Sequence, residues 1–78
     1  MMMLYDIRRI GNEIICHGSQ DGVNATEFDL AMDLTTMEPS RVSIKPNFAV
    51  NQAYAKIWNM VKDLGPDNLP EKAEVAWG

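Results

Sequence analysis

The sequence has one cysteine, one histidine and no long apolar run. A single cysteine, Cys16, excludes an internal disulfide, and it gives no reason to expect an oxidising compartment. No stretch approaches the ~18 consecutive apolar residues of a membrane helix. The apolar start Met1-Met2-Met3-Leu4 is followed at once by charged residues, so it is too short for the core of a secretory signal. We therefore expect a cytoplasmic protein.

Basic residues are also scarce, with 7 Lys and Arg against 11 Asp and Glu and a net charge of −4. Nucleic-acid backbones and anionic membranes both attract basic surfaces, so neither is an expected partner. One cysteine and one histidine cannot fill the four-ligand shell of a structural zinc site. The glycines are isolated, and none belongs to a phosphate-binding loop. We expect no metal and no cofactor, and a basic protein or a second copy of the chain as partner.

The chain nevertheless has enough apolar residues to fold. It has 78 residues, of which 46% are hydrophobic and 23% are charged. A domain of this size buries only roughly 60% of its unfolded surface, so its stability margin is thin and a partner would add burial. We predict one small α+β domain over residues 1–78, in which residues 66–78 form a loop that leads into a weak strand or a tail.

One amphipathic helix is predicted over Phe48–Leu64. Five apolar residues follow each other at steps of 4, 3, 4 and 3, which places them on one helical face: Val50, Tyr54, Ile57, Val61 and Leu64. Trp58 lies one step off this stripe and would widen it. Either Asn47 or Asn51 can cap the start, and Gly65 followed by Pro66 ends the helix.

The first two strands are predicted over residues 4–10 and 13–17. Gly11-Asn12 suits a two-residue type II′ hairpin turn, which sets the register of the pair. That register places Asp6 opposite His17 and Ile7 opposite Cys16.

Two further strands follow. A three-residue loop ending at Gly22 would pair Ile14 with Phe28 and Cys16 with Thr26. Over residues 26–35, Phe28, Leu30, Met32 and Leu34 alternate with Glu27, Asp29, Ala31 and Asp33, the pattern of a half-buried antiparallel strand. After a turn at residues 36–40, a strand over residues 41–45 would set Val42 opposite Leu34 and Ile44 opposite Met32.

These elements predict an antiparallel four-stranded β-meander packed on one face by the single helix. Residues 73–77 are either a fifth strand, antiparallel to the first and paired with its open edge, or a flexible tail. The helix would cover one set of side chains: Tyr5, Ile7, Ile14, Cys16, Phe28, Leu30, Met32, Leu34, Val42 and Ile44. The opposite face would carry a mosaic of charged residues that also holds Ile10 and Ile15.

The candidate catalytic residues are Asp6 and His17. Cys16 and His17 are neighbours on a strand, so their side chains point to opposite faces and do not form a nucleophile–base pair. Asp6 and His17 would instead meet across the hairpin, where the carboxylate raises the pKa of the imidazole. This is half of a catalytic dyad. No nucleophile is apparent on the same face: Ser19 and Ser43 are the nearest, and both are turn or edge residues. A surface ion pair is the commoner meaning of such a pattern.

The sequence favours a non-enzymatic function. An open sheet face and open edges can pair with other chains, and large aromatics at the rim of a small core are common interface anchors. We expect an accessory module that binds a protein partner or itself through Ile10, Ile15, Trp58 and Trp77. The alternative is a small hydrolase or transferase that uses Asp6 and His17 and is completed by a second subunit.

Overall fold

The computed structural model describes residues 1–76 and has an α+β fold. A five-stranded antiparallel sheet in the order β4-β3-β2-β1-β5 packs against one helix. The elements are β1 (Met2–Ile10), β2 (Glu13–Gln20), β3 (Thr26–Asp33), β4 (Glu38–Val42), α1 (Phe48–Leu64) and β5 (Ala73–Val75). The meander is confirmed, and so is the fifth strand, which pairs antiparallel with β1. Trp77 lies outside the described residues.

The helix has the predicted bounds. Asn47 is the cap, since its side-chain oxygen accepts a hydrogen bond from the Val50 amide at 2.9 Å. Gly65 ends the helix with a φ of 87°, and its amide donates to the Val61 carbonyl. The buried face extends toward Ala53 and Met60 rather than toward Trp58, which is 39% exposed. In the described part of the chain, no helix is long and apolar enough to cross a membrane.

A β-bulge in β1 changes the register of the first hairpin. Arg8 pairs with Ile15 as predicted, but beyond the bulge Tyr5, not Asp6, stands opposite His17. Asp6 lies in the bulge and has a left-handed backbone conformation, with a φ of 53°. One inserted residue exchanges the two faces of a strand. Leu4 therefore enters the core, and the predictions that Tyr5 is covered by the helix and that Asp6 pairs with His17 were wrong.

The second hairpin has a longer loop than predicted. Residues 21–25 connect the strands, so Ile14 pairs with Met32 and Cys16 with Leu30. The predicted register was off by four residues. Because four is an even number, every side chain of β3 keeps its predicted face.

The strand β4 begins earlier than predicted and pairs Val42 with Leu30 rather than with Leu34. The tight turn that precedes it contains Met37 at a φ of 59°, and the Met37 amide donates to the Asp33 carbonyl. A register shift between Ala31 and Met32 follows in the pairing of β3 with β4. This is again a four-residue error that preserves the faces, and Val42 and Ile44 pack against the core.

A single apolar layer lies between the sheet and the helix. All buried residues in the described part of the chain are hydrophobic or glycine, and none is polar or charged. Gly18 lies within β2 opposite Phe28, where an added Cβ would come 2.5 Å from the Phe28 ring. This glycine leaves room for the far end of the Phe28 ring against the strand, a role that differs from the turn position that an isolated glycine suggests.

Candidate interaction face

The face of the sheet that α1 does not cover is organised in rows across the strands. One row runs from Tyr5 through His17 to Asp29, and the next from Arg8 through Ile15 and Ala31 to Arg41. A third row joins Ile10, Glu13 and Asp33. We call the surface formed by these side chains, together with Glu27, the uncovered face. It combines apolar residues in its middle with charged residues around them.

His17 is held between two carboxylates of the neighbouring strand. Its Nδ1 lies 2.9 Å from Asp29 Oδ1 and its Nε2 lies 2.9 Å from Glu27 Oε1. The hydrogen bond to Glu27, followed by that to Asp29, raises the pKa of His17 above its ordinary value. A neutral imidazole has one N–H, so both bonds are made at once only by the imidazolium. The geometry is that of a cationic histidine clamped between two anions.

Ser43 and Cys16 do not act with this histidine as nucleophiles. The Ser43 hydroxyl accepts a hydrogen bond from the Asp29 amide at 2.8 Å, and the Ser43 amide donates to the Asp29 carbonyl. Cys16 lies on the covered face, where burial is the main cause that raises its pKa to about 12. A thiol with that pKa stays protonated and is a poor nucleophile. Both ring nitrogens of His17 are bound to carboxylates, so neither is poised to take a proton from a hydroxyl.

The carboxylates around His17 do not converge on one point. Glu27 and Asp29 occupy opposite sides of the imidazole ring, as their separate bonds to Nε2 and Nδ1 require. Across residues 1–76, no group of three histidine, cysteine or acidic side chains is arranged to hold a metal ion.

A groove of about 260 Å³ opens on the uncovered face between β2, β3 and β4. Ile15 and Ala31 form an apolar floor, with Val42 beside them, while Asp29 and Arg41 line the sides. Arg41 binds the Glu13 carboxylate at 2.8 Å, whereas the Asp29 carboxylate is 72% exposed beside His17. The groove therefore has an apolar floor, a neutralised ion pair at one side and an accessible carboxylate at the other.

The groove depends on a register that the sequence did not predict. In the predicted pairing of β3 with β4, Ala31 would face Lys45 instead of Arg41. The actual pairing places Arg41 next to Ala31 and brings Ser43 to Asp29. One feature of the sequence does indicate a groove. Ala31 has a small side chain between larger neighbours, and a small side chain leaves a depression in the surface of a sheet once the strands are paired.

The predicted interaction residues fall in different places. Ile15 lies in the groove on the same face as His17, and Ile10 is 53% exposed at the end of β1. Trp58 lies on the helix, away from the uncovered face, with Lys62 Nζ 4.5 Å above its ring. Trp77 is outside the described residues. The structure thus brings together Ile15 and His17 and separates Trp58 from them.

Both edges of the sheet are short or interrupted. The edge strand β4 has five residues and includes Pro39, and the opposite edge strand β5 has three. Short strands, proline and charged side chains are the features that discourage edge-to-edge pairing. Both edges are therefore poorly suited to pairing with a strand of another chain.

No protein-family model, no curated protein and no solved structure matches this chain.

Proposed function

We propose that this protein is a non-enzymatic interaction module that binds a basic segment of a partner protein on its uncovered face. The observation that carries the proposal is the groove beside Ile15 and Ala31, with the exposed Asp29 carboxylate at its border. An apolar floor next to an accessible anion fits a segment that presents an apolar side chain beside a lysine or arginine.

The size of the groove supports a side chain as its occupant. Small-molecule sites usually enclose ~300–1,000 Å³ and bury most of the ligand. This groove measures about 260 Å³ and is open to solvent. One or two side chains of a protein partner would fill it.

The charge of the chain favours a basic partner over a second copy. Each copy has a net charge of −4, so two copies repel each other. Glu27 and Asp29 are 70% and 72% exposed and can accept hydrogen bonds from a cationic side chain. Complementary charge chiefly raises the association rate and selects the partner, while the apolar contact slows dissociation.

The alternative of a hydrolase or transferase loses its premise. It required Asp6 opposite His17, and the bulge places Tyr5 there. A catalytic base also needs a free ring nitrogen to accept a proton, while both nitrogens of His17 contact carboxylates. We therefore propose no catalytic function.

Synthetic peptides test the proposal directly. A peptide that alternates leucine and lysine should bind with a Kd on the order of 100 μM and shift the amide NMR signals around Ile15, Ala31 and Val42. A matched peptide with glutamate in place of lysine should not bind. Equal binding of the two peptides, or shifts confined to α1, would contradict the proposal.

A pair of variants provides the control. Ile15→Glu places a charge in the groove and should abolish binding of the leucine–lysine peptide. Val23→Glu adds the same charge in the loop between β2 and β3, where Val23 is fully exposed, and should leave binding intact. If both variants bind alike, the groove is not the site.

A further inference from the structure

His17 joins two strands through ionic hydrogen bonds and is the only histidine of the chain. It projects from β2, while both of its partners, Glu27 and Asp29, project from β3. Each ring nitrogen is 2.9 Å from one carboxylate oxygen. The imidazolium thus bridges two positions of the neighbouring strand that are two residues apart.

The other neighbours of His17 leave this arrangement intact. From β1, the directly opposed residue is Tyr5, whose ring lies 5.9 Å from Lys72 Nζ. The adjoining bulge contributes Asp6, whose carbonyl is bound by the Arg8 side chain. From the side of β4, Ser43 holds the backbone of Asp29. The two carboxylates that contact the ring are those of β3, and each lies 2.9 Å from one ring nitrogen.

We propose that His17, Glu27 and Asp29 form a proton-operated clamp on the uncovered face. When the imidazole is protonated, it fastens β2 to β3 at two points and neutralises part of the acidic surface. When it loses its proton, it has one N–H left and can satisfy one carboxylate only. The second carboxylate is released, and the face becomes one charge more negative.

The direction of the effect on stability follows from the raised pKa. Hydrogen bonds from His17 to Glu27 and Asp29 raise its pKa in the folded chain above the ordinary value of 6.5 that applies when the chain is unfolded. The folded state therefore binds the proton more tightly. The stabilisation is fully present below pH 6.5, and it is lost as the pH rises through the pKa of the folded chain.

The sole imidazole can be followed by NMR in the intact protein. The pKa of His17 should lie above its ordinary value in the wild type and should move down in both Glu27→Gln and Asp29→Asn. Glu38→Gln removes the same charge from β4 and should leave the pKa unchanged. The proposal would be overturned by a wild-type pKa at the ordinary value, or by a pKa that stays the same in both Glu27→Gln and Asp29→Asn.

Denaturation by urea gives an independent measurement. The unfolding midpoint of the wild type should fall between pH 6 and 9 relative to that of His17→Gln, which has no imidazole to titrate. All other titratable groups are common to the two proteins, so the difference between their midpoints isolates His17. Parallel midpoints across this range would show that the proton does not fasten the strands.

Discussion

The two faces of the sheet differ in what determines them. On the covered face, the buried side chains of the described residues are apolar, and their positions follow from packing against α1. On the uncovered face, the side chains are held by specific pairs such as Glu13 with Arg41 and His17 with two carboxylates. Apolar burial, the main source of folding free energy, lies on the first face, while the second carries a particular arrangement of charge. The function that we propose uses the second face.

Strand β1 shows how closely the two faces are linked. Without the bulge at Asp6, a regular strand would turn Leu4 toward solvent and Tyr5 into the core. With it, Leu4 is fully buried and Tyr5 stands opposite His17 on the uncovered face. A single backbone irregularity thus completes the apolar layer and supplies a neighbour for the clamp.

Neighbouring isoleucines on β2 test the contrast between the faces most strongly. Ile14 is fully buried on the covered face, and Ile15 is half-buried in the groove. Ile14→Ala should lower the free energy of unfolding by about 2–5 kcal/mol, since it leaves a cavity under the helix. Ile15→Ala should cost about 1 kcal/mol or less, because the open groove leaves no enclosed cavity. Urea denaturation measures both, and equal losses would remove the distinction.

The sequence predicts the covered face well because burial follows a simple period. The helix, the strand order and six of the buried sheet residues come directly from apolar spacing: Ile7, Ile14, Cys16, Phe28, Leu30 and Met32. The predicted registers of two strand pairs were wrong by four residues, but the set of covered side chains was unaffected, since a shift by an even number keeps each side chain on its face.

The uncovered face could not be predicted in the same way. Its contacts depend on which residue stands opposite which, so a slip of any size replaces one partner with another. The bulge moved the partner of His17 on β1 from Asp6 to Tyr5, and the longer loop brought Asp29 opposite it on the other side. The fact that His17 sits beside a carboxylate was anticipated, but the carboxylates that bind it were not. No spacing rule in the sequence marks the bulge.

The bulge itself provides a second test, with a smaller expected effect. Asp6 has a φ of 53°, a left-handed conformation that aspartate and asparagine tolerate but β-branched residues do not. Asp6→Val should therefore lower the free energy of unfolding by about 1–2 kcal/mol. Asp6→Asn removes the charge and keeps the backbone preference, so its stability should match the wild type. Equal losses in the two variants would point to the carboxylate and not to the backbone.

The smallest effect concerns the link between proton and partner, and it rests on the proposed function. Loss of the proton from His17 makes the uncovered face one charge more negative, and a lysine bound ~5 Å away gains somewhat under 1 kcal/mol in water-like surroundings. The leucine–lysine peptide should therefore bind roughly threefold more tightly at pH 8.5 than at pH 6. His17→Gln should bind the peptide equally at both pH values, because the lysine side chains of the peptide stay charged across this range. Calorimetry can resolve this factor, and added salt should reduce it. A wild-type affinity that does not change with pH would show that proton and partner use the face independently, even if the groove binds the peptide.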